Sequence, residues 1–343
     1  MSRFLRASLG SAFGYMPGEQ PPDGATWIKL NTNESAMPPS PLVAGAVSAA
    51  AATLNRYPSA HGEPLRSALA QHHGVDASQV IVGNGADALI NDCFRAFSEP
   101  GTTVVLTDPT YSLLPVAARI HGVDVHVVAL RPDGRTPPEF ATADATLRFL
   151  VNPNTPTGAW TEPERLAGDL SAAHGVLVID EAYGDFAPRS CIPLLDDHPA
   201  WLVLRTFSKS HGLAGLRVGY AVGAAELIAD LHAVGESYPV DRCALAGAHA
   251  ALGDTAHHSR LVEGVLSERA RLSDALRQRG WTVTPSHANF IAVVPPDGSA
   301  QDAAARLRES HVLVRCFDSG DHGLLRITVG SPPENDALLA AIA

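Results

Sequence analysis

Between residues 80 and 222, short apolar runs alternate with stretches whose apolar residues recur at helical spacing. The runs at 80–82, 103–106, 123–128, 147–151, 175–179, 202–206 and 218–222 predict seven strands, most of them apolar throughout, as strands buried on both faces are. Helical patterns at 86–97 and 163–174 supply crossovers. Strands alternating with helices predict an α/β fold with a mainly parallel seven-stranded sheet.

On either side the pattern changes. Residues 1–40 are crowded with turn signals, among them Met16-Pro17-Gly18, Pro21-Pro22-Asp23-Gly24 and Pro38-Pro39-Ser40, and read as an extended arm with one strand-like segment at 27–30. The alanine-rich stretch 41–54 and the segment around Leu65 and Leu69 predict two helices, the second ending before Gly74. After Asp241 a long helical region runs to Arg279, with Leu261, Val265, Leu272 and Leu276 on one face and Gly280 as its stop. Strand-like runs at 281–283, 290–294, 312–317 and 324–329 flank an amphipathic helix near 303–308. The expected organisation is therefore an arm over 1–40, a large domain over 41–240, and a connecting helix with a small α/β domain over 241–343.

Composition narrows the function. The chain of 343 residues is 45% hydrophobic and 18% charged, the profile of a compact fold and not of a disordered chain. Its formal net charge of -11 leaves no broad cationic surface, which argues against nucleic acid or an anionic membrane as partner. No run approaches the roughly 20 apolar residues of a bilayer span, and residues 1–9 lack the apolar segment of an export signal. A cytoplasmic location is the expectation. Cys93, Cys191, Cys243 and Cys316 are widely separated and fit free thiols in a reducing compartment. The pairs His72-His73 and His257-His258 read as polar surface residues, and no metal site is expected.

One count changes the picture. Of 25 basic residues only Lys29 and Lys209 are lysines. Arginine replaces lysine as a surface cation, but its guanidinium stays protonated, so chemistry that needs a neutral amine has two candidate positions.

Asp180 follows the run 175–179 at the carboxyl end of a predicted strand, where the ligand crevice of an open α/β sheet lies. It reads either as a cap for the next segment or as a carboxylate that bonds a pyridinium nitrogen and makes that ring an electron sink. The next strand ends in Ser208-Lys209-Ser210 and enters the glycine-containing stretch 212–217. There Lys209 can meet an aldehyde held near Asp180, while the Thr206 and Ser208 hydroxyls and the Arg217 guanidinium suit a phosphate. Gly83-Asn84-Gly85-Ala86-Asp87 joins a strand to a helix, as an ordinary turn or as a cradle whose backbone N–H groups hold a phosphate. Tyr111 reads as core packing or as a ring stacked on an aromatic cofactor, and Tyr183 as a packing residue or a partner of that cofactor's phenolate oxygen. The segment Asn152-Pro153-Asn154-Thr155-Pro156-Thr157-Gly158 is a rigid loop.

Taken in order, Leu30-Asn31-Thr32-Asn33-Glu34, Arg56-Tyr57-Pro58, Gly83 to Asp87, Asn152 to Gly158, Asp180-Glu181-Ala182-Tyr183, Thr206-Phe207-Ser208-Lys209, Gly212 to Tyr220 and Leu325-Arg326-Ile327-Thr328-Val329-Gly330 span nearly the whole chain. Together they resemble the histidinol-phosphate aminotransferase family of the fold type I, class II pyridoxal-phosphate enzymes. The resemblance implies pyridoxal 5'-phosphate carried by Lys209, with Asp180 at the ring nitrogen, Tyr183, Asn154 and Thr155 at the phenolate oxygen, and Tyr111 on the ring face. Gly85, Ala86, Asp87, Thr206, Ser208 and Arg217 surround the phosphate, which Tyr57 of a neighbouring subunit reaches, so a homodimer with the arm at its interface is implied. Arg326, Arg315, Tyr15 and Asn33 match substrate contacts. The implied reaction exchanges an amino group between glutamate or 2-oxoglutarate and histidinol phosphate or imidazole acetol phosphate, as in histidine biosynthesis.

The chain departs from that pattern at Thr155, where the family usually has asparagine, at Ser35-Ala36, at Pro239 and at Cys316. Those positions border the segments that shape substrate choice. Three alternatives therefore stand beside the main reading: an aminotransferase for another aromatic or anionic amino acid, a phosphorylated amino-acid decarboxylase of the same fold, and a catalytically silent cofactor-binding or regulatory protein.

Overall fold

The computed structural model describes residues 4–6, 9, 14–21, 26–317 and 323–342. Strand β1 (Ile28–Lys29) lies in the arm and is followed by helices α1 (Pro41–Ala51) and α2 (Leu65–His73). The Ser40 hydroxyl caps α1 by accepting from the Leu42 N–H, and Gly74 ends α2 at a left-handed φ of 69°. Then come β2 (Val80–Asn84), α3 (Gly85–Phe97), β3 (Thr103–Asp108), α4 (Leu113–His121), β4 (Asp124–Ala129), α5 (Pro138–Thr142), β5 (Leu147–Val151), α6 (Pro163–Asp169), β6 (Val176–Asp180), β7 (Trp201–Thr206) and β8 (Val218–Gly223). All seven expected strands are present. Helix α6 stops short of the expected 174, since Gly168 and Ser171 are poor helix formers.

These strands form one sheet in the order β4-β3-β5-β6-β7-β8-β2. Strands β4 to β7 are parallel, and β8 runs antiparallel to both β7 and β2. Alternation of side chains gives the sheet two apolar faces: Leu150, Leu177, Ile179 and Val203 join one core cluster, Phe149, Val178, Leu202 and Leu204 the other. Each such burial contributes about 1.5–3 kcal/mol relative to exposure.

Beyond β8 lie α7 (Ala225–Val234), α8 (Arg242–Gly253) and α9 (Thr255–Gln278). The expected continuous helical region is broken at Asp254, whose carboxylate accepts from the His257 N–H and from the Ser40 hydroxyl at 2.6 Å. The chain ends in β9 (Thr282–Val283), β10 (Phe290–Val294), α10 (Ala300–Glu309), β11 (Val312–Leu313), β12 (Arg315–Phe317), β13 (Leu324–Thr328) and α11 (Pro332–Ala341). The single expected run 312–317 is thus two strands. β11 pairs in parallel with β1 of the arm, while β12 joins an antiparallel sheet of order β12-β13-β10-β9. Leu30 of the arm is buried with Leu276, Ile291, Leu325 and Leu338 in one cluster, which ties the arm to this second sheet. No helix among the described residues is long and apolar enough to cross a membrane.

Candidate active site

The carboxyl ends of β6 and β7 open into a cavity built from three parts of the chain. The large sheet and its loops contribute Ala86, Asp87, Tyr111, Thr155, Asp180, Tyr183, Thr206, Ser208, Lys209 and Arg217; the second sheet contributes Arg315 and Arg326; the arm contributes Tyr15, Asn31, Thr32 and Asn33. Strand termini leave the ladder there, so side chains and N–H groups are free to face a ligand.

Asp180, the last residue of β6, is buried and accepts from the Ala182 N–H at 2.9 Å. Burial pushes its pKa up to about 6, against that hydrogen bond. A carboxylate so placed is stabilised by a cationic partner arriving in the cavity. Lys209 follows β7, with Nζ 3.4 Å from the Thr32 carbonyl oxygen and 5.8 Å from the centre of the Tyr183 ring. Burial, with the Arg326 cation nearby, lowers its pKa to about 8, so a useful fraction is neutral amine near neutral pH.

At the opposite side α3 begins at Gly85, whose φ of 74° brings the first N–H groups of the helix to the cavity edge. A Cβ there would stand 2.8 Å from Arg217 Nη2, and one on Gly219 would stand 2.4 Å from the Ala86 nitrogen. Gly219 is required by its close approach to backbone, and Gly85 by its positive φ. Arg217 itself adopts a left-handed φ of 53°, a strained state for a side chain of its size that persists where the surroundings enforce it. Its guanidinium lies 3.4 Å from Ser208 Oγ and 3.2 Å from Asp87 Oδ2, and Thr206 Oγ1 donates to Ser208 Oγ at 3.0 Å. Helix N-terminus, guanidinium and hydroxyls form a donor set for a phosphate.

Tyr111 donates to Asp87 Oδ1 at 3.1 Å and meets Tyr15 edge to face at 6.0 Å between ring centres. Tyr183 Oη accepts from Asn33 Nδ2 at 2.8 Å. Arg326 donates to Thr155 Oγ1 and to the Asn31 carbonyl, each at 3.1 Å, and its guanidinium lies between the rings of Phe290 and Phe317, 5.4 and 5.3 Å from their centres. Its Nε is buried without a hydrogen-bond partner. Arg315 pairs in register with Arg326 across β12 and β13 and donates to the carbonyls of Met16 and Pro17.

Three further expected site residues are placed as follows. Asn154 does not line the cavity; its amide bonds Pro109 O at 3.0 Å and Thr157 Oγ1 at 2.9 Å and braces the loop. Tyr57 is exposed outside the cavity, stacked on Tyr238 with ring centres 4.5 Å apart. Asn33 lines the cavity with its amide already engaged by Tyr183 and Thr328.

Sequence reading missed the ion network beneath the lysine loop. Arg205 donates to Glu181 at 2.9 Å and to Asp185, which also accepts from the Ser210 hydroxyl next to Lys209. An arginine inside an otherwise apolar strand was its only signal. His72 is exposed as expected, but its neighbour and the other pair are half-buried and engaged: His73 bonds Tyr220 Oη at 2.9 Å, His257 bonds Pro38 O at 3.1 Å, and His258 stacks on His211. Asp185, His211 and His258 bring ligand-type atoms within 4.8 Å of one another. The oxygens of Asp185 already serve Arg205 and Ser210, and His211 Nδ1 lies 3.1 Å from the Ser210 hydroxyl, so these atoms are engaged within the network.

The model of the class I and II aminotransferases matches residues 25–342. Histidinol-phosphate aminotransferase 1 of Bordetella parapertussis is 42% identical over 355 residues, covering 100% of this chain and 98% of that protein, and histidinol-phosphate aminotransferase 1 of Nostoc sp. is 39% identical over 345 residues with the same coverage. Among solved structures, histidinol-phosphate aminotransferase from Sinorhizobium meliloti in complex with pyridoxal-5'-phosphate superposes with a TM-score of 0.84 at 28% identity, covering 92% of this chain and 89% of that one. A match along nearly the whole length, and a cavity at the strand ends that holds the buried carboxylate, the lysine and the phosphate-type donors together, lead to one conclusion: the chain belongs to the class I and II aminotransferase family.

Proposed function

We propose that the chain transfers an amino group between glutamate or 2-oxoglutarate and histidinol phosphate or imidazole acetol phosphate, as a homodimer. The observation that carries this reading is the cross-strand pair Arg315 and Arg326. Like charges directly opposite on a sheet are destabilising, and neither guanidinium has a carboxylate partner among the ion pairs of the described residues. A doubly charged phosphate on the substrate offsets that repulsion. The full-length identity to histidinol-phosphate aminotransferases supports the same substrate.

The enzyme is a pyridoxal-phosphate-dependent aminotransferase, and the residues present fit that cofactor. When bound, pyridoxal phosphate supplies an electron sink for the pair left on the amino carbon after deprotonation. Asp180 would hold the ring nitrogen, Tyr183 and Thr155 the ring oxygen, and Tyr111 the ring face. The N–H groups of Gly85, Ala86 and Asp87, with Thr206, Ser208 and Arg217, would hold the phosphate, and Tyr57 of the partner subunit would close that site. Lys209 Nζ would take the proton from the amino carbon and return it to the carbon on the far side of the amino nitrogen, a transfer made efficient by holding one amine beside both. Arg326 would bind the glutamate carboxylate or the phosphate, and Arg315 and Tyr15 would complete the substrate pocket.

Single-turnover conversion by histidinol phosphate, compared with histidinol, tests the substrate. A charge-assisted contact made in the transition state gives a preference of about 10- to 150-fold for the phosphorylated amine. Equal rates would remove the substrate assignment, and carbon dioxide release from phosphothreonine would favour a decarboxylase.

A further inference from the structure

Asn33 is buried in the left-handed backbone region at φ 55°, which asparagine tolerates better than most side chains. Three of its hydrogen bonds moor it to the second sheet and the turn before it. Its backbone N–H donates to Thr328 Oγ1 at 3.0 Å, its carbonyl accepts from Asn289 Nδ2 at 3.1 Å, and its side-chain oxygen accepts from Thr328 Oγ1 at 3.2 Å. The fourth crosses to the large sheet, where Nδ2 donates to Tyr183 Oη at 2.8 Å. Thr328 decides which way the amide faces: its oxygen receives the Asn33 N–H, so its one hydrogen is given to the amide oxygen.

Thr155 Oγ1 accepts from Arg326, and its hydroxyl is a second donor to Tyr183 that favours the deprotonated phenol. A phenol oxygen that receives two donors has both lone pairs engaged. Its own hydrogen then turns to an acceptor in the cavity. We propose that Asn33 is a positioning residue which, by donating to Tyr183, aims the phenol hydrogen at the ring oxygen of bound pyridoxal phosphate. The inference rests on the cofactor reading above and assigns to Asn33 a part played through Tyr183, not through substrate.

The test uses the holoenzyme without substrate and reads the pH midpoint of the visible absorbance of its cofactor. Asn33→Asp keeps the size and the tolerance of left-handed backbone but replaces the donor by an acceptor, which captures the Tyr183 hydrogen. Losing a charge-assisted hydrogen bond to the deprotonated ring oxygen moves the midpoint upward by about one to two pH units. Asn33→Gly, which suits the backbone and adds no charge, moves it in the same direction. In a Tyr183→Phe background neither substitution shifts it further. A midpoint unmoved by both variants would overturn the inference, as would an equal shift by Asn33→Asp in the Tyr183→Phe background, where only the new charge can act. Thermal unfolding of each apoprotein confirms that the fold is kept. A visible band whose pH midpoint survives Lys209→Ala would instead refute the role given to Lys209 in holding the cofactor.

Discussion

Asp180 ends β6 and Lys209 lies just beyond the end of the neighbouring parallel strand β7, and burial moves their proton affinities in opposite directions, the carboxyl up to about 6 and the ammonium down to about 8. Both displacements favour the uncharged form of the group. In the apoprotein the floor of the cavity is therefore poised to accept a cation at one point and an electrophile at the other.

Acylation of the apoprotein by a small amine reagent should label Lys209 with a rate that rises with pH around a midpoint of about 8. Only Lys29 competes among side chains, so peptide mass spectrometry separates the two sites. Added pyridoxal phosphate should protect Lys209. A midpoint near the ordinary 10.5 would contradict the desolvated setting described for this amine.

Asp180 also sets a pH dependence of stability. The native carboxyl keeps its proton up to about 6 and the unfolded one only to about 3.8, so the native state binds more protons between those values and stability falls as pH rises through that window. The full penalty, about 3 kcal/mol, persists at neutral pH in the apoprotein. Asp180→Asn should raise the urea midpoint of the apoprotein at pH 7.5 and flatten its dependence between pH 4 and 6, while lowering turnover of the holoenzyme. A less stable apoprotein variant would reverse the argument.

Arg148 lies fully buried on β5 and meets backbone carbonyls alone: Phe140 and Ala145 at 3.1 Å, Ala141 at 3.3 Å, and Ala143 and His174. It stitches the end of α5 and the loop before β6 to the sheet. Arg148→Met keeps the length and strands those acceptors, so a loss of about 3 kcal/mol is expected. A melting temperature within a degree of the parent would rule this out.

Tyr57 lies too far out to serve its own cavity, which makes the homodimer testable by complementation. Mixing Lys209→Ala with Tyr57→Ala subunits under exchange should restore about a quarter of parental activity, since half the dimers are mixed and each has one intact site. No recovery, with exchange verified by mass spectrometry and Tyr57→Ala shown to be impaired, would exclude a shared site.

Strands buried on both faces announce themselves as apolar runs, which is why β5 to β8 were legible to within about a residue, whereas the edge strand β4 is partly exposed and showed through its recurring valines. Asp180 and Lys209 were legible because each ends such a run. The break at Asp254 was not read from apolar periodicity, which continues on both sides; its signal is the local pair Gly253-Asp254, whose carboxylate caps α9 by accepting from the His257 N–H three residues on. Nor was the separation of β11 from β12, where one apolar run supplies two sheets and the partner that distinguishes them is the arm. The bond between Asn33 and Tyr183 joins residues with no local pattern in common. Such pairings arise from tertiary packing, to which periodicity is blind.

The reversed direction of β8 has a mechanical corollary. Because it begins at the edge where β7 ends, one short connection carries both Lys209 and Arg217. Surface loops ordinarily absorb insertions and deletions with little harm. With the roles proposed for Lys209 and Arg217, this one would act as a ruler, its arc length setting the span between the attachment point and the far anchor of a single rigid guest. Adding or deleting one residue between 210 and 216 would change that span without altering either side chain, so on this reading length matters there as much as identity.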